Sequence, residues 1–123
     1  MSKLLRIGVL ASGGGTNLQA IIDRCQDGSL AAEIAVVITN KPGAGALERA
    51  AKAGLKTLCI AHRDFAQREA FDNAVVEALR QHQVDLVALA GFMRIITRTF
   101  IDAFPQRIIN IHPALLPAFP GLH

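Results

Sequence analysis

The sequence predicts an α/β fold: an open, Rossmann-like, mostly parallel sheet with helices on both faces. Three observations carry that prediction. Five short apolar runs are separated by segments with helical spacing. The runs are apolar throughout rather than alternating, as in strands covered on both sides. Strands that alternate with helices pair in parallel through right-handed crossovers. In such sheets ligands bind beyond the carboxyl ends of the strands, where the strand order reverses, so the residues just after each run are the informative ones.

The elements follow in order. Leu5–Ala11 is an apolar run ended by glycines, hence a buried strand. Leu18, Ile21, Ile22 and Cys25 then recur at i, i+3, i+4 and i+7, one helical stripe. Thr16 with Gln19 fits a capping box at that helix start, and Gly28 fits its end. Glu33–Thr39 reads as the second strand, Ala46–Ala53 as a short Ala-rich helix stopped by Gly54, and Lys56–Ile60 as the third strand. Asp64, with Gln67 three residues on, is expected to open a longer helix that buries Phe71, Ala74, Val75, Ala78 and Leu79. Val84–Ala90 is the fourth strand, Thr97–Phe104 a short helix ended by Pro105, and Arg107–Ile111 the fifth strand. A stiff tail with Pro113, Pro117 and Pro120 follows; it either walls a pocket or forms a rigid crossover.

Bulk properties narrow the function classes. The chain has 123 residues, enough for one core but small for an enzyme holding two substrates. At 51% hydrophobic and 19% charged residues it is not a disordered chain. The net charge of +3 comes from scattered Lys and Arg, without Trp or Tyr, which does not suit a nucleic-acid binder. No apolar run approaches about 18 residues, so no transmembrane helix is expected. The segment from Met1 to Gly15 is too short in its apolar part for a signal peptide. Cys25 and Cys59 form no metal pattern and read as buried free thiols of a cytoplasmic protein.

Ser12-Gly13-Gly14-Gly15-Thr16-Asn17 links a strand to a helix. Glycines let the backbone turn tightly, and the helix start offers unpaired N–H groups and a positive dipole end. The loop lacks the third glycine of a dinucleotide fingerprint and the Lys of a Walker loop. It therefore points to a monophosphate ligand rather than NAD or ATP. The competing reading is a glycine-rich turn in which Thr16 merely caps its helix.

Asn110 and His112 lie two apart on the last strand and so share a face. Pro113 restricts His112 to an extended backbone. A His beside an amide donor suits acyl-group chemistry: His moves a proton near neutral pH, and Asn donates to an oxyanion as a carbonyl becomes tetrahedral. The alternative is a satisfied core histidine with Asn110 ending its strand. No second ligand sits at metal-binding spacing. His62 and His82 read as loop and helix-surface residues. Gly91–Ile96 is either a slot for a flat heterocycle or packing under the next helix. Arg68, in the first turn of its helix, is mildly disfavoured by the dipole, which hints at an anionic partner or marks a solvated side chain.

The stretches ASGGGTNLQAII, NKPGAGALERA, AGFMRI and INIHPALLPAFPGLH, in this order and spacing, resemble the folate-dependent formyltransferases. The resemblance covers the whole chain. It implies the formyltransferase fold and an acceptor, glycinamide ribonucleotide, whose phosphate sits on Gly15, Thr16 and Asn17. It implies the donor 10-formyltetrahydrofolate along Met93, Arg94, Ile95 and Ile96, with Arg68 near its glutamate tail. Asn110 and His112 are then catalytic, Asn110 also touching the folate, and no metal takes part. Small-molecule substrates, no nucleic acid, no membrane and a monomer or homodimer are expected. Thr16 stands where many members have Ser, and Ala114 replaces a common Ser. The family also continues well past His123, with further strands, a long helix and a catalytic Asp. By that expectation residues 1–123 are one truncated N-terminal domain, inactive alone, with an unpaired sheet edge.

Two other readings stay open. One is a formyltetrahydrofolate hydrolase or a formyltransferase acting on another amine. The other is a non-catalytic domain that binds a phosphate ligand.

Overall fold

Parallel strands cannot be joined by tight turns, so each connection must cross the sheet and bury an apolar stripe on it. The computed structural model, which describes residues 4–94 and 96–111, shows how this chain does so. Strands β1 (Leu5–Ala11), β2 (Ala32–Thr39) and β3 (Thr57–Cys59) are linked by helices α1 (Thr16–Gln26) and α2 (Gly45–Lys52). Helix α3 (Arg68–Gln81) leads to β4 (Leu86–Ala90), and α4 (Arg98–Ala103) leads to β5 (Ile108–Ile111). All pairings are parallel and the order is β3-β2-β1-β4-β5. The chain thus runs outward from β1 to β3, then returns to place β4 on the other side of β1. The strand order reverses between β1 and β4, which makes their carboxyl ends the switch point.

That path puts the helices on opposite faces. Leu18, Ile21 and Ile22 of α1 and Ala46 and Ala50 of α2 pack with Ile7, Val9 and Val37. Phe71, Val75, Ala78 and Leu79 of α3 and Phe100 of α4 pack with Leu10, Val36 and Ile38. The central strands are buried on both faces, which is why they read as unbroken apolar runs. Between Ile7 and Gly8 the β1–β2 register skips one residue of β2. Ala35 and Val36 then both face the α3 side, while Ile34 and Val37 face α1 and α2.

Several expected boundaries shift. Thr16 does not cap α1: Gly15 occupies that position at φ 86°, and no side chain caps the helix. The longer helix starts at Arg68 rather than Asp64, which closes a short 3-10 turn, His62–Asp64. The intervening backbone is extended at Phe65 and Gln67 because Phe65 turns inward against Phe71, ring centroids 5.8 Å apart. The third, fourth and fifth strands are shorter than expected. Ala74 is only half-buried, while Asp72 is buried with the stripe. The cysteines are not both buried: Cys25 is half-buried, and Cys59, on edge strand β3, is exposed. Burial pushes the Cys25 thiol above its ordinary range, and the Asp27 carboxylate adds to the effect. The proline-rich tail lies outside the described residues.

Asp72 ties α3 to the start of α4, a partnership between distant residues that spacing alone does not reveal. One of its carboxylate oxygens accepts from both the backbone N–H and the hydroxyl of Thr97, each at 2.7 Å, just before α4. Replacing Asp72 with Ala is expected to cost about 2 kcal/mol, since two donors lose a charged acceptor inside the fold. Urea unfolding of the full chain measures this; a wild-type midpoint would mean that Thr97 has other acceptors.

Candidate active site

The loop Ser12–Asn17 leaves β1 at the switch point and turns into α1. Gly15 enables the turn: its φ is positive, and a Cβ there would lie 2.8 Å from the Ala46 Cα. From Gly13 to Leu18, no backbone N–H meets an acceptor among the described residues. A run of unpaired N–H groups at a helix start is an anion-binding concavity. Here they border a pocket of about 110 Å³ lined by Gly13, Gly14, Gly15, Thr16, Asn17, Ala90 and Gly91. No acidic residue occupies the first turn of α1 to oppose an anion.

Buried polar groups tie this loop to its neighbours. The Ser12 hydroxyl donates to Asn40 Oδ1 at 2.6 Å and accepts from the Met93 N–H at 2.8 Å. Asn40 is 1% exposed, and its Nδ2 reaches His62 Nδ1 at 3.1 Å. The Asn17 amide donates to the Ile111 carbonyl at 2.9 Å. The ends of β1, β2, β4 and β5 are thereby held in one cluster.

Comparison with known proteins decides the family. A sequence profile described as formyl transferase matches residues 5–123. The chain belongs to the formyl transferase family. It is 44% identical to the phosphoribosylglycinamide formyltransferase of Escherichia coli K12 over 119 residues, covering 97% of this chain and 56% of that protein. It is 48% identical over 120 residues to the trifunctional purine biosynthetic protein adenosine-3 of Drosophila melanogaster, covering 96% of this chain and 9% of that one. The crystal structure of glycinamide ribonucleotide transformylase 1 from Symbiobacterium toebii matches with a TM-score of 0.87 and 52% identity, over 97% of this chain and 56% of that one. This chain thus spans little more than half the length of its single-function relatives and far less of the trifunctional ones.

Within this formyl transferase fold the expected site residues fall into two groups. Gly15, Thr16, Asn17 and Asn110 gather at the switch point, with Asn17 bonded to the residue after Asn110. Asn110 is exposed on β5, opposite Leu89 of β4. Met93 is held at its N–H by Ser12 while its side chain is 76% exposed. Arg94 turns inward, its guanidinium 5.4 Å from the Phe71 ring centroid. Ile96 packs against the core on the α3 face. Arg68 is exposed, and no hydrogen bond or ion pair among the described residues joins it to the others. Ile95 and His112 lie outside the described residues.

Sequence reasoning missed Ser12, Asn40 and His62 as a group. His62 is a half-buried partner of Asn40 rather than a plain loop residue. Among the described residues no cluster of three or more His, Cys, Asp or Glu could hold a metal ion, and no helix is long and apolar enough to cross a membrane.

Proposed function

We propose that this chain supplies the acceptor-phosphate site, and part of the catalytic site, of a cytoplasmic enzyme of de novo purine synthesis. The enzyme transfers a formyl group from 10-formyltetrahydrofolate to the amine of glycinamide ribonucleotide. The observation that carries the reading is the row of N–H groups from Gly13 to Leu18, without an acceptor among the described residues, at the switch point of a formyl transferase fold. Gly15, Thr16 and Asn17 hold the phosphate of the acceptor. The folate lies along Met93, Arg94, Ile95 and Ile96 and against Asn110, with Arg68 near its glutamate tail.

The acceptor nitrogen attacks the formyl carbon, forming a new C–N bond and a tetrahedral oxyanion. Asn110 and protonated His112 donate hydrogen bonds to that oxyanion. The bond from carbon to the folate nitrogen then breaks, and His112 assists transfer of the amine's surplus proton to that nitrogen. Formylglycinamide ribonucleotide and tetrahydrofolate result, with no step that needs a metal.

The test is a formyl-transfer assay on the full chain. Tetrahydrofolate release is expected to depend on glycinamide ribonucleotide, and inorganic phosphate is expected to compete with that substrate but not with the folate. Formate release without an acceptor would favour a hydrolase. Phosphate-sensitive binding of the ribonucleotide without turnover would favour a binding domain.

A further inference from the structure

The row of loop N–H groups is useful only if its peptide planes are turned the right way. Gly-rich backbone has little intrinsic preference for one orientation, so something outside the loop must set it. In this structure that element is α2. Its Ala46 N–H donates to the Gly13 carbonyl at 3.1 Å, and Arg49 Nε donates to the Gly14 carbonyl at 2.8 Å. A trans peptide points its C=O and the following N–H in opposite directions. Holding the Gly13 and Gly14 carbonyls against α2 therefore turns the Gly14 and Gly15 N–H groups away from α2. The small pocket at the switch point has no lining residue from α2, so those donors face its side of the loop.

The sequence of α2 is built for this contact. Gly45 lets the first turn approach the loop: a Cβ there would sit 3.0 Å from both the Cα and the oxygen of Gly14. Arg49, four residues later, lies on the same face. The fork of Arg49 also reaches Gln19 of α1, Nη1 to Oε1 at 3.4 Å, and Gln19 in turn donates to Asp23 at 2.9 Å. One guanidinium thus joins the loop and the helix it opens. A Lys has a single ammonium and cannot span both acceptors with the same planar geometry.

We infer that Arg49 is a positioning residue for the acceptor phosphate, acting through the Gly14 carbonyl to aim the loop's N–H donors. The inference rests on the reading that this loop binds phosphate. The experiment compares kcat/KM of the full chain for glycinamide ribonucleotide and for its dephosphorylated nucleoside, in wild type, Arg49→Met and Arg49→Lys. The wild type is expected to prefer the phosphorylated acceptor strongly. In Arg49→Met the ratio of the two values is expected to fall roughly 10- to 100-fold, the scale of an ångström-level misplacement, with the inhibition constant for inorganic phosphate rising in parallel. Arg49→Lys keeps one donor for Gly14 and is expected to lose less. Because the readout is a ratio, general damage to the fold, which lowers both rates together, does not imitate the effect. If Arg49→Met is insoluble, Arg49→Lys carries the same comparison. An unchanged ratio in the soluble variants overturns the role of Arg49. A wild type without preference for the phosphorylated acceptor overturns the phosphate reading itself.

Discussion

Replacing His112 with alanine is expected to lower kcat/KM for formyl transfer by about 10²- to 10⁴-fold, the usual contribution of a positioned general acid or base. The expectation rests on the proposed role of His112 and on where the described part of β5 ends. Strand β5 pairs with β4 in the register Leu89 to Asn110 and Ala90 to Ile111, so Asn110 and Ile111 lie at the carboxyl end of the sheet, beside the switch point. Asn110 and His112 are two apart in the sequence, the spacing at which side chains of an extended strand share a side. The peptide between them is fixed by the Asn17 amide, which donates to the Ile111 carbonyl. The residue before the proposed catalytic histidine is therefore bonded directly to the loop proposed to hold the acceptor phosphate. Steady-state kinetics of the full chain, with a thermal midpoint matching wild type, would measure the effect. A rate that survives the substitution would remove His112 from the mechanism and leave Asn110 as the only proposed oxyanion donor in this chain.

The second large effect concerns stability. Phe71→Ala is expected to cost about 3–5 kcal/mol, the range for truncating a buried aromatic. Native domains are stable by only about 5–15 kcal/mol, so this variant should sit near the edge of folding. Phe71 is 2% exposed and touches three groups that shape the site's flank. Phe65 meets it edge-on at 5.8 Å, His62 at 6.5 Å, and the Arg94 guanidinium lies 5.4 Å from its ring centroid. Its loss opens a cavity, and Arg94 loses an interaction worth about 0.5–2 kcal/mol. Urea unfolding should show a lower midpoint with an unchanged slope. Phe71→Leu, which keeps much of the volume, should recover most of the loss; equal damage from both would point to aromatic contacts rather than cavity formation.

The sheet was legible because its central strands are buried on both faces and so appear as continuous apolar runs. The helices of the α1 and α3 crossovers were legible as stripes. Their starts were not. Thr16 and Asp64 both carry capping chemistry, yet α1 begins behind a left-handed glycine and α3 begins only after Phe65 has turned into the core. Local capping energies of about a kilocalorie per mole yield to the burial of an aromatic ring.

At the site, the loops were predictable and their bonds to one another were not. Ser12 meets Asn40 across 28 residues, Asn40 meets His62 across 22, and Met93 meets Ser12 across 81. No spacing rule reaches that far. A weaker clue was present: Ser12 and Asn40 each directly follow an apolar strand, where a small polar residue needs a partner. Asp72 left a clearer trace. It shares the helical spacing of Val75, Val76 and Leu79, so an acid stood on the buried stripe in plain view.

The skipped residue in β2 bears on how this chain tolerates insertion and deletion. An ordinary strand cannot change length by one residue without turning its core-facing side chains outward. At Ala35 the strand already contains such an extra residue, and the ladder with β1 resumes beyond it at Val36. Ala32–Ile34 and Val36–Thr39 are two separately phased half-strands. Loss of a residue at the junction is expected to restore a regular ladder, whereas the same loss at Val37 or Ile38 is expected to displace Thr39 and Asn40 and, through Asn40, the Ser12 hydroxyl that joins the switch-point loops. A change of one residue in the length of β2 is therefore expected to be tolerated at its amino-terminal half and not beyond Val36.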